Sequence, residues 1–190
     1  MMHPATRLGF VSEAQGFGVF ATAVIPAGTL TWVRDEWDIV IPAVVPADLL
    51  GTVERYAYTE ADGTVLMPWD HGRYVNHACK PNCAGLQAGI DLAVRDIQPG
   101  EQLTNDYRVL GTFEQFPCAC GSPNCRKTVE PRAVDAELLG AFEAARALMA
   151  TVPQPLGERA VRWLEAERPQ ARKSSPGRTP RVMSGRLNLR

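Results

Sequence analysis

The sequence predicts a mainly β fold that ends in helices. Over the first 110 of its 190 residues, short segments rich in β-branched and aromatic residues alternate with turns that contain Pro and Gly. Beyond residue 130 the apolar spacing becomes helical, and the five cysteines all lie between Cys79 and Cys125. These observations predict a sheet-rich body, then a cysteine-bearing segment, then a helical extension.

Turn residues bound each predicted strand. Ile90, Leu92 and Val94 alternate with small or polar neighbours, which is the pattern of a half-buried strand. Pro-Ala-Gly at 26–28 and Pro-Gly at 99–100 predict tight turns. The predicted strands are 17–22, 29–33, 37–41, 53–59, 64–67, 90–94 and 102–104.

Two helices are predicted after the cysteines. Leu138, Phe142 and Ala145 belong to an apolar stripe at 134–149, between two prolines, and a second helix is predicted at 156–167. Residues 169–190 hold six basic and no acidic side chains, and their Ser, Pro, Gly and Arg content predicts a flexible basic tail. The chain therefore divides into four predicted parts: the sheet-rich body at 1–112, the cysteine-bearing segment at 113–130, the helical extension at 131–168 and the basic tail at 169–190.

The composition is that of a soluble globular protein. The net charge of −1 combines a tail of +6 with −7 on the preceding residues. No apolar run approaches the length of a membrane span, and the first residues do not resemble a secretion signal, so we expect a cytoplasmic protein without a membrane partner. Seventeen arginines against three lysines, with abundant alanine, indicate a GC-rich bacterial genome.

The cysteines predict a structural zinc site. Cys118, Cys120 and Cys125 lie on a turn-rich segment that can wrap a small ion, and zinc needs a fourth ligand, for which Cys79 and Cys83 are the candidates. The alternative is that these cysteines are free and buried, and act as small apolar residues.

Three polar or glycine-containing segments are ambiguous when each is taken alone. Asn76 could close a turn while His77 is a buried, hydrogen-bonded imidazole, or the two could line a site. Gly16, Phe17 and Gly18 could form a turn that needs positive φ, or could let a ligand lie against the backbone. Tyr107, taken alone, is typical of a core or interface residue.

Together and in this order, the segments resemble the SET-domain family of protein lysine methyltransferases, including the cysteine-containing post-SET segment. The resemblance covers about residues 8 to 130. It is carried by four motifs: GFGVFA at 16–21, RYVNHACKPNC at 73–83, GEQLTNDY at 100–107 and CACGSPNCR at 118–126.

The resemblance implies a compact SET-domain fold in which the segment around Asn76 threads beside the one that ends at Tyr107, in a knot-like crossing. It implies S-adenosylmethionine bound by Gly16, Phe17, Gly18, Asn76, His77 and Tyr107. It implies Tyr107 as the catalytic residue, and zinc held by Cys79, Cys118, Cys120 and Cys125, which leaves Cys83 spare.

The chemistry of lysine methylation adds candidate residues. A lysine amine must lose its proton to attack a methyl group, and an apolar channel favours that neutral form. Tyr56, Tyr58 and Trp69 are candidate channel walls, although core packing explains them equally well. Asn105 stands where the family often has Phe or Tyr, so the number of methyl groups added is not readable.

The leading hypothesis is transfer of a methyl group from S-adenosylmethionine to a lysine side chain of a protein substrate. One alternative is a non-catalytic zinc module that binds a partner, including weak nucleic-acid contact through the basic tail. Another is a methyltransferase that acts on arginine or on a small amine.

Overall fold

A computed structural model describes residues 1–60, 62–87, 89–110, 114–133 and 135–166. These residues form twelve short strands and three α-helices. The strands are β1 Thr6–Ser12, β2 Gly16–Ala21, β3 Leu30–Val33, β4 Ile39–Val40, β5 Tyr58–Thr59, β6 Val65–Met67, β7 Asn76–His77, β8 Cys83–Gln87, β9 Ile90–Ala93, β10 Gln102–Asn105, β11 Phe116–Pro117 and β12 Thr128–Val129. The helices are α1 Leu50–Tyr56, α2 Ala136–Leu148 and α3 Gly157–Ala166.

The strands form four small sheets, so the fold is mainly β as the sequence predicts. The largest has the order β1-β2-β10-β7, and the others are β3-β9-β8, β4-β6-β5 and the pair β11-β12. In the largest sheet β7 runs parallel to β10, with Thr104 opposite Asn76 and Asn105 opposite His77. The Asn76 segment therefore lies directly beside the segment that leads to Tyr107.

Two apolar clusters hold the sheets and helices together. One cluster joins the β1-β2-β10-β7 sheet to the β3-β9-β8 sheet through residues such as Val19, Leu103 and Ala93. The other packs Leu92 of β9 against Phe142 of α2 and neighbouring helix residues. Burial of these apolar side chains drives the packing. The two clusters lie on opposite faces of the β3-β9-β8 sheet, and α2 and α3 cover the face of the second cluster.

The helices confirm the predicted period change after the cysteines. Leu138, Phe142 and Ala145 are the buried residues of α2, and the Asp135 carboxylate caps this helix by accepting a hydrogen bond from the Leu138 N–H at 2.9 Å. The predicted basic tail at 169–190 lies outside the described residues. Within the described part of the chain, no helix is both long and apolar enough to cross a membrane.

The predicted strand at 53–59 is wrong over most of its length. Residues 50–56 form α1, and only Tyr58 and Thr59 are extended. Leu50, Glu54 and Arg55 are good helix formers, and they outweigh the single β-branched Thr-Val pair. Five observed strands lie outside the predicted ones: β1, β7, β8, β11 and β12. Pairing with neighbouring strands fixes these segments.

Candidate active site and metal centre

A cavity of about 1190 Å³ lies where the sequence motifs meet. Its walls come from the segment before β2, from α1, from β7, from the β8–β9 pair, from the end of β10 and from the cysteine segment. Pockets that bind small ligands span roughly 300 to 1,000 Å³, so this cavity has room for a ligand of nucleotide size and an inserted side chain. Its lining includes Gln15, Phe17, Tyr56, Tyr58, Asn76, His77, Asp91, Asn105, Tyr107, Phe116, Cys118 and Cys120.

The Asn76 side chain joins the glycine motif to β10. Its Nδ2 donates to the Phe17 carbonyl oxygen at 2.9 Å and to Gln102 Oε1 at 2.8 Å. A Cβ at Gly18 would lie 2.5 Å from Gln102 Oε1 and 3.0 Å from Asn76 Nδ2, so only glycine allows this approach. Gly16 has φ of 74°, which glycine adopts without strain. Both glycines thus have structural roles beside the cavity.

His77 is a buried imidazole held in one orientation. The Tyr107 backbone N–H donates to His77 Nδ1 at 3.2 Å, so Nδ1 is the unprotonated nitrogen, and Nε2 lies 3.4 Å from Cys79 Sγ. Burial lowers the pKa of His77 to about 4, against the opposing effect of the Asp106 carboxylate at 3.6 Å. His77 therefore links the cavity to the cysteine cluster as a neutral group.

Tyr107 directs its hydroxyl proton at the backbone. Its Oη donates to the Val75 carbonyl oxygen at 2.6 Å, and burial raises the pKa of the phenol to about 12. Its ring lies between His77 and Phe116, with centroid distances of 5.6 and 6.5 Å. Because the proton is committed to Val75, the lone pairs of Oη remain available to a group in the cavity.

Aromatic side chains supply much of the cavity wall. Tyr56 packs against Tyr74 and Tyr58 against Trp32, with centroids 5.1 and 6.1 Å apart. Of the three aromatic wall residues predicted from the sequence, Tyr56 and Tyr58 line the cavity. Trp69 is instead 39% exposed, and its indole Nε1 donates to Asp35 Oδ2 at 3.1 Å.

Trp32, Tyr74 and Phe116 also line the cavity, and the sequence analysis did not single them out. Tyr74 precedes the Val75-Asn76-His77 stretch directly, so its position in that motif was the available signal. Trp32 belongs to β3 and Phe116 to β11, and nothing in either local sequence distinguishes a cavity wall from a core residue.

Asn105 faces a carboxylate. Its Nδ2 donates to Asp91 Oδ2 at 3.1 Å, while its Oδ1 accepts the Asp106 backbone N–H at 2.8 Å. Asp91 lies on β9, and both side chains line the cavity. Burial raises the pKa of Asp91 to about 6, although the hydrogen bond from Asn105 favours the charged form.

Four cysteines come together at one edge of the cavity. The Sγ atoms of Cys79, Cys118, Cys120 and Cys125 all lie within 4.8 Å of one another, and the Cys79 and Cys118 sulfurs are 3.7 Å apart. Four sulfurs bound to one zinc ion at about 2.3 Å would be about 3.8 Å apart, so the donor set fits zinc. Cys83 is 1% exposed in the core, where burial raises its pKa to about 12.

Arg126 connects the cysteine segment to the body of the fold. Its Nη1 donates to the Cys79 carbonyl oxygen at 3.1 Å, and its Nη2 donates to Asp106 Oδ2 at 2.9 Å. Asp106 is fully buried and also forms an ion pair with Arg108. The Arg108 guanidinium forms a second ion pair with Asp135 at the start of α2. Burial favours protonation of Asp106, yet these hydrogen bonds and charges hold its pKa below the usual range.

One protein family matches the part of the chain that forms this cavity. The family described as SET domain matches residues 16–108, and the mainly β architecture described above is a SET-domain fold. The match takes in β2, β7, β10 and the start of the turn at Tyr107, so it spans the three motifs that line or border the cavity.

The regions similar to this chain are parts of much longer proteins. Histone-lysine N-methyltransferase TRX1 of Oryza sativa subsp. japonica is 34% identical over 145 residues, which cover 65% of this chain and 14% of that protein. Histone-lysine N-methyltransferase trithorax of Drosophila melanogaster is 31% identical over 137 residues, covering 62% of this chain and 4% of that protein. This chain therefore spans a small fraction of these relatives. They are eukaryotic, and the bacterial origin stays a prediction.

A solved structure is similar in shape. A crystal structure of KRYPTONITE in complex with mCHH DNA, an H3(1-15) peptide and SAH has a TM-score of 0.48 and 22% identity. The similarity covers 67% of this chain and 30% of that one.

Proposed function

We propose that this protein transfers a methyl group from S-adenosylmethionine to a lysine side chain of a protein substrate. The observation that carries the proposal is the single cavity to which Phe17, Asn76, His77 and Tyr107 contribute, with Cys118 and Cys120 in its wall. These residues come from separate segments that match the SET-domain motifs. The relatives carry the name histone-lysine N-methyltransferase, which supports a lysine side chain as the acceptor.

The volume and lining of the cavity fit a nucleoside cofactor. S-adenosylmethionine, when bound, supplies a methyl group on a positively charged sulfur. Phe17 and the backbone around Gly16 and Gly18 would hold it on one side, with Asn76 and His77 on the other. The Asn76 side chain is already fixed by its bonds to Phe17 and Gln102, so its main role would be to set the distance between these two segments.

Tyr107 would orient the reacting groups. Because its proton is bound by the Val75 carbonyl, Oη can accept a weak C–H contact from a methyl group or an N–H from an amine. The hydrocarbon stem of the lysine would pass between aromatic walls that include Tyr56 and Tyr58, where exclusion of water favours the neutral, nucleophilic amine. Most of the rate acceleration would then come from positioning.

Zinc at Cys79, Cys118, Cys120 and Cys125 would be structural. With four protein ligands, the ion would have no open position for substrate. It would hold the cysteine segment against the cavity, where Gln15 Nε2 donates to the Ala119 carbonyl oxygen at 2.6 Å. Loss of zinc would therefore open the wall formed by Cys118 to Cys120.

A non-catalytic zinc module would leave the cavity and the oriented Tyr107 hydroxyl without a role. The experiment is incubation of the zinc-loaded protein with methyl-labelled S-adenosylmethionine and either core histones or a fractionated lysate, followed by mass spectrometry. We expect label on lysine. Label on arginine or on a small amine, or no heat of binding with S-adenosylmethionine, would contradict the proposal. Cytoplasmic localisation and contact of the tail with nucleic acid stay predictions.

A further inference from the structure

One ionisable group in the cavity has no role in the mechanism above. Asp91 lies on β9 and lines the cavity together with Trp32, Tyr58, Gly85 and Asn105, a set that we call the Asp91 end. Its carboxylate is surrounded by protein but keeps partial access to water through the cavity. A carboxylate in such a place is costly to bury, so its presence in a ligand-sized cavity calls for a cationic or hydrogen-bonding partner.

The two carboxylate oxygens of Asp91 differ. Oδ2 accepts the hydrogen bond from Asn105 Nδ2 at 3.1 Å, whereas Oδ1 has no donor among the described residues. A Cβ at Gly85 would lie 2.1 Å from Oδ1, so the carboxylate can pack here only because residue 85 has no side chain. The structure thus presents one oxygen anchored by Asn105 and one without a donor in the described part of the chain, on a residue that lines the cavity.

Asn105 relates Asp91 to the candidate catalytic tyrosine. Asn105 lies opposite His77 in that pairing and two residues before Tyr107. Residues in a strand rise about 3.3 Å each, so the backbones of Asn105 and Tyr107 are about 7 Å apart. Asn105 therefore continues the lining from Tyr107 toward Asp91, within the reach of an extended lysine side chain.

The surroundings of Asp91 favour a cation. The Trp32 and Tyr58 rings pack edge to face at the same end, and the pKa of the Tyr58 phenol is raised by burial, then by the charge of Glu60 and, to a smaller extent, by that of Asp91. Aromatic faces and a carboxylate together bind an alkylammonium group. With the pKa of Asp91 near 6, the group is mainly ionised at neutral pH.

Resting on the proposed function, we propose that the Asp91 carboxylate binds the amine of the target lysine, with Asn105 as its positioning residue. Oδ1 accepts an N–H from the incoming ammonium and orders the side chain. The ammonium then gives its proton to water, which has access to Asp91 through the cavity, and the neutral amine reacts. An amine with at least one N–H is bound through a charge-assisted hydrogen bond, and a fully methylated one is not.

The test uses n-butylammonium as a probe, because it is a lysine side chain without a backbone. The full zinc-loaded chain is titrated with n-butylammonium and, separately, with neutral n-butanol, and the NMR signal of the Asn105 side-chain amide reports binding. We expect n-butylammonium to shift this signal with saturation and n-butanol not to. We expect Asp91→Asn to weaken binding about ten-fold or more.

Two further variants control for structural damage. Gly85→Ala keeps the charge, but its Cβ would lie 2.1 Å from the present position of Oδ1 and displace the carboxylate, so we expect it to weaken binding as Asp91→Asn does. Asp48→Asn removes an exposed carboxylate outside the cavity lining, and we expect it to bind the probe as the wild type does. Absence of binding by the wild type, or equal binding by wild type and Asp91→Asn, would overturn the proposal.

A second assay, methyl transfer to core histones, distinguishes failure of the Asp91 cation site from failure of the proposed methyltransferase function. We expect Asp91→Asn to lower kcat/KM for the protein substrate about ten-fold, with the KM for S-adenosylmethionine within two-fold of the wild-type value. Equal kcat/KM in the two proteins would overturn the role of Asp91. A wild type that binds n-butylammonium through Asp91 but transfers no label would support the cation site and contradict the methyltransferase function.

Discussion

Arg126 donates from its guanidinium to the buried carboxylate of Asp106 at 2.9 Å. Asp106 lies between Asn105 and Tyr107, whereas Arg126 directly follows the last cysteine of the cluster. The ion pair therefore fastens the metal-binding segment to the strand end that carries the candidate catalytic tyrosine. Arg126 also donates to the Cys79 carbonyl, so one side chain connects three of the four sequence motifs.

We expect Arg126→Gln to destabilise the zinc-loaded protein by about 1–3 kcal/mol, because Asp106 stays buried and keeps only Arg108 as a cationic partner. Chemical denaturation measures the change. The matched control is Arg146→Gln, which breaks an exposed pair with Glu143 and should cost less than about 0.5 kcal/mol. Equal effects of the two substitutions would show that the Arg126 contact adds nothing.

Tyr107→Phe should reduce turnover by an order of magnitude or more while cofactor affinity stays within several-fold. The substitution removes the oxygen that faces the cavity but keeps the ring between His77 and Phe116. Loss of the bond to Val75 should cost about 1 kcal/mol of stability. Single-turnover kinetics and calorimetry separate these effects, and unchanged turnover would remove Tyr107 from the mechanism.

Cys125→Ser should lower the zinc content of the purified protein below one ion per chain, since a four-thiolate site loses a ligand. Removal of zinc by a chelator should also reduce S-adenosylmethionine binding, because Cys118 and Cys120 line the cavity. Elemental analysis and calorimetry check both results. Cys83→Ala is the control and should retain zinc, because Cys83 is packed in the core. The reverse result for these two variants would show that the ligand set is wrong.

Asp91→Asn should stabilise the protein at pH 8 by up to about 3 kcal/mol, and by progressively less toward pH 4. The folded-state pKa of Asp91, about 6, lies above the ordinary value of 3.8, so the folded state binds this proton more tightly. Stability from this group is thus present at low pH and is lost as the pH rises from 3.8 to 6.

The groups that act on Asp91 are Asn105 by its hydrogen bond and the N-terminal amine by its charge, while Tyr58 and Cys83 feel the Asp91 charge in turn. Urea unfolding of both proteins across this pH range gives the difference. A gap that does not change with pH would contradict the raised pKa.

Motif spacing predicted the site residues better than it predicted the walls between them. Asn76, His77 and Tyr107 are brought together by the parallel pairing of β7 and β10, and the four predicted cysteines cluster. These residues could be predicted because ligand chemistry and local polarity leave a clear signal in the sequence. Trp32 and Asp91 reach the cavity only through the pairing of β3, β9 and β8, and no local pattern reports such long-range contacts.

Helix α1 shows a different reason for failure. Residues 50–56 have mixed propensities, and none of them is buried, so there is no apolar periodicity from which a helix could be predicted. The segment is nevertheless placed at the cavity, where Arg55 Nη2 donates to the Gln15 carbonyl oxygen at 3.1 Å. The helix therefore rests on the propensity of Leu50, Glu54 and Arg55 and on such contacts, and neither produces an apolar period.

The parallel pairing of β7 with β10 also fixes an order of events during synthesis. β10 lies between β2 and β7, which precede it by many residues, so neither earlier strand can complete its hydrogen bonds until residues 102–105 have left the ribosome. The cysteines at 118–125 emerge later still. Contacts of such long sequence separation form slowly, so a nascent chain would gain its ligand-binding capacity as one of the last steps of folding.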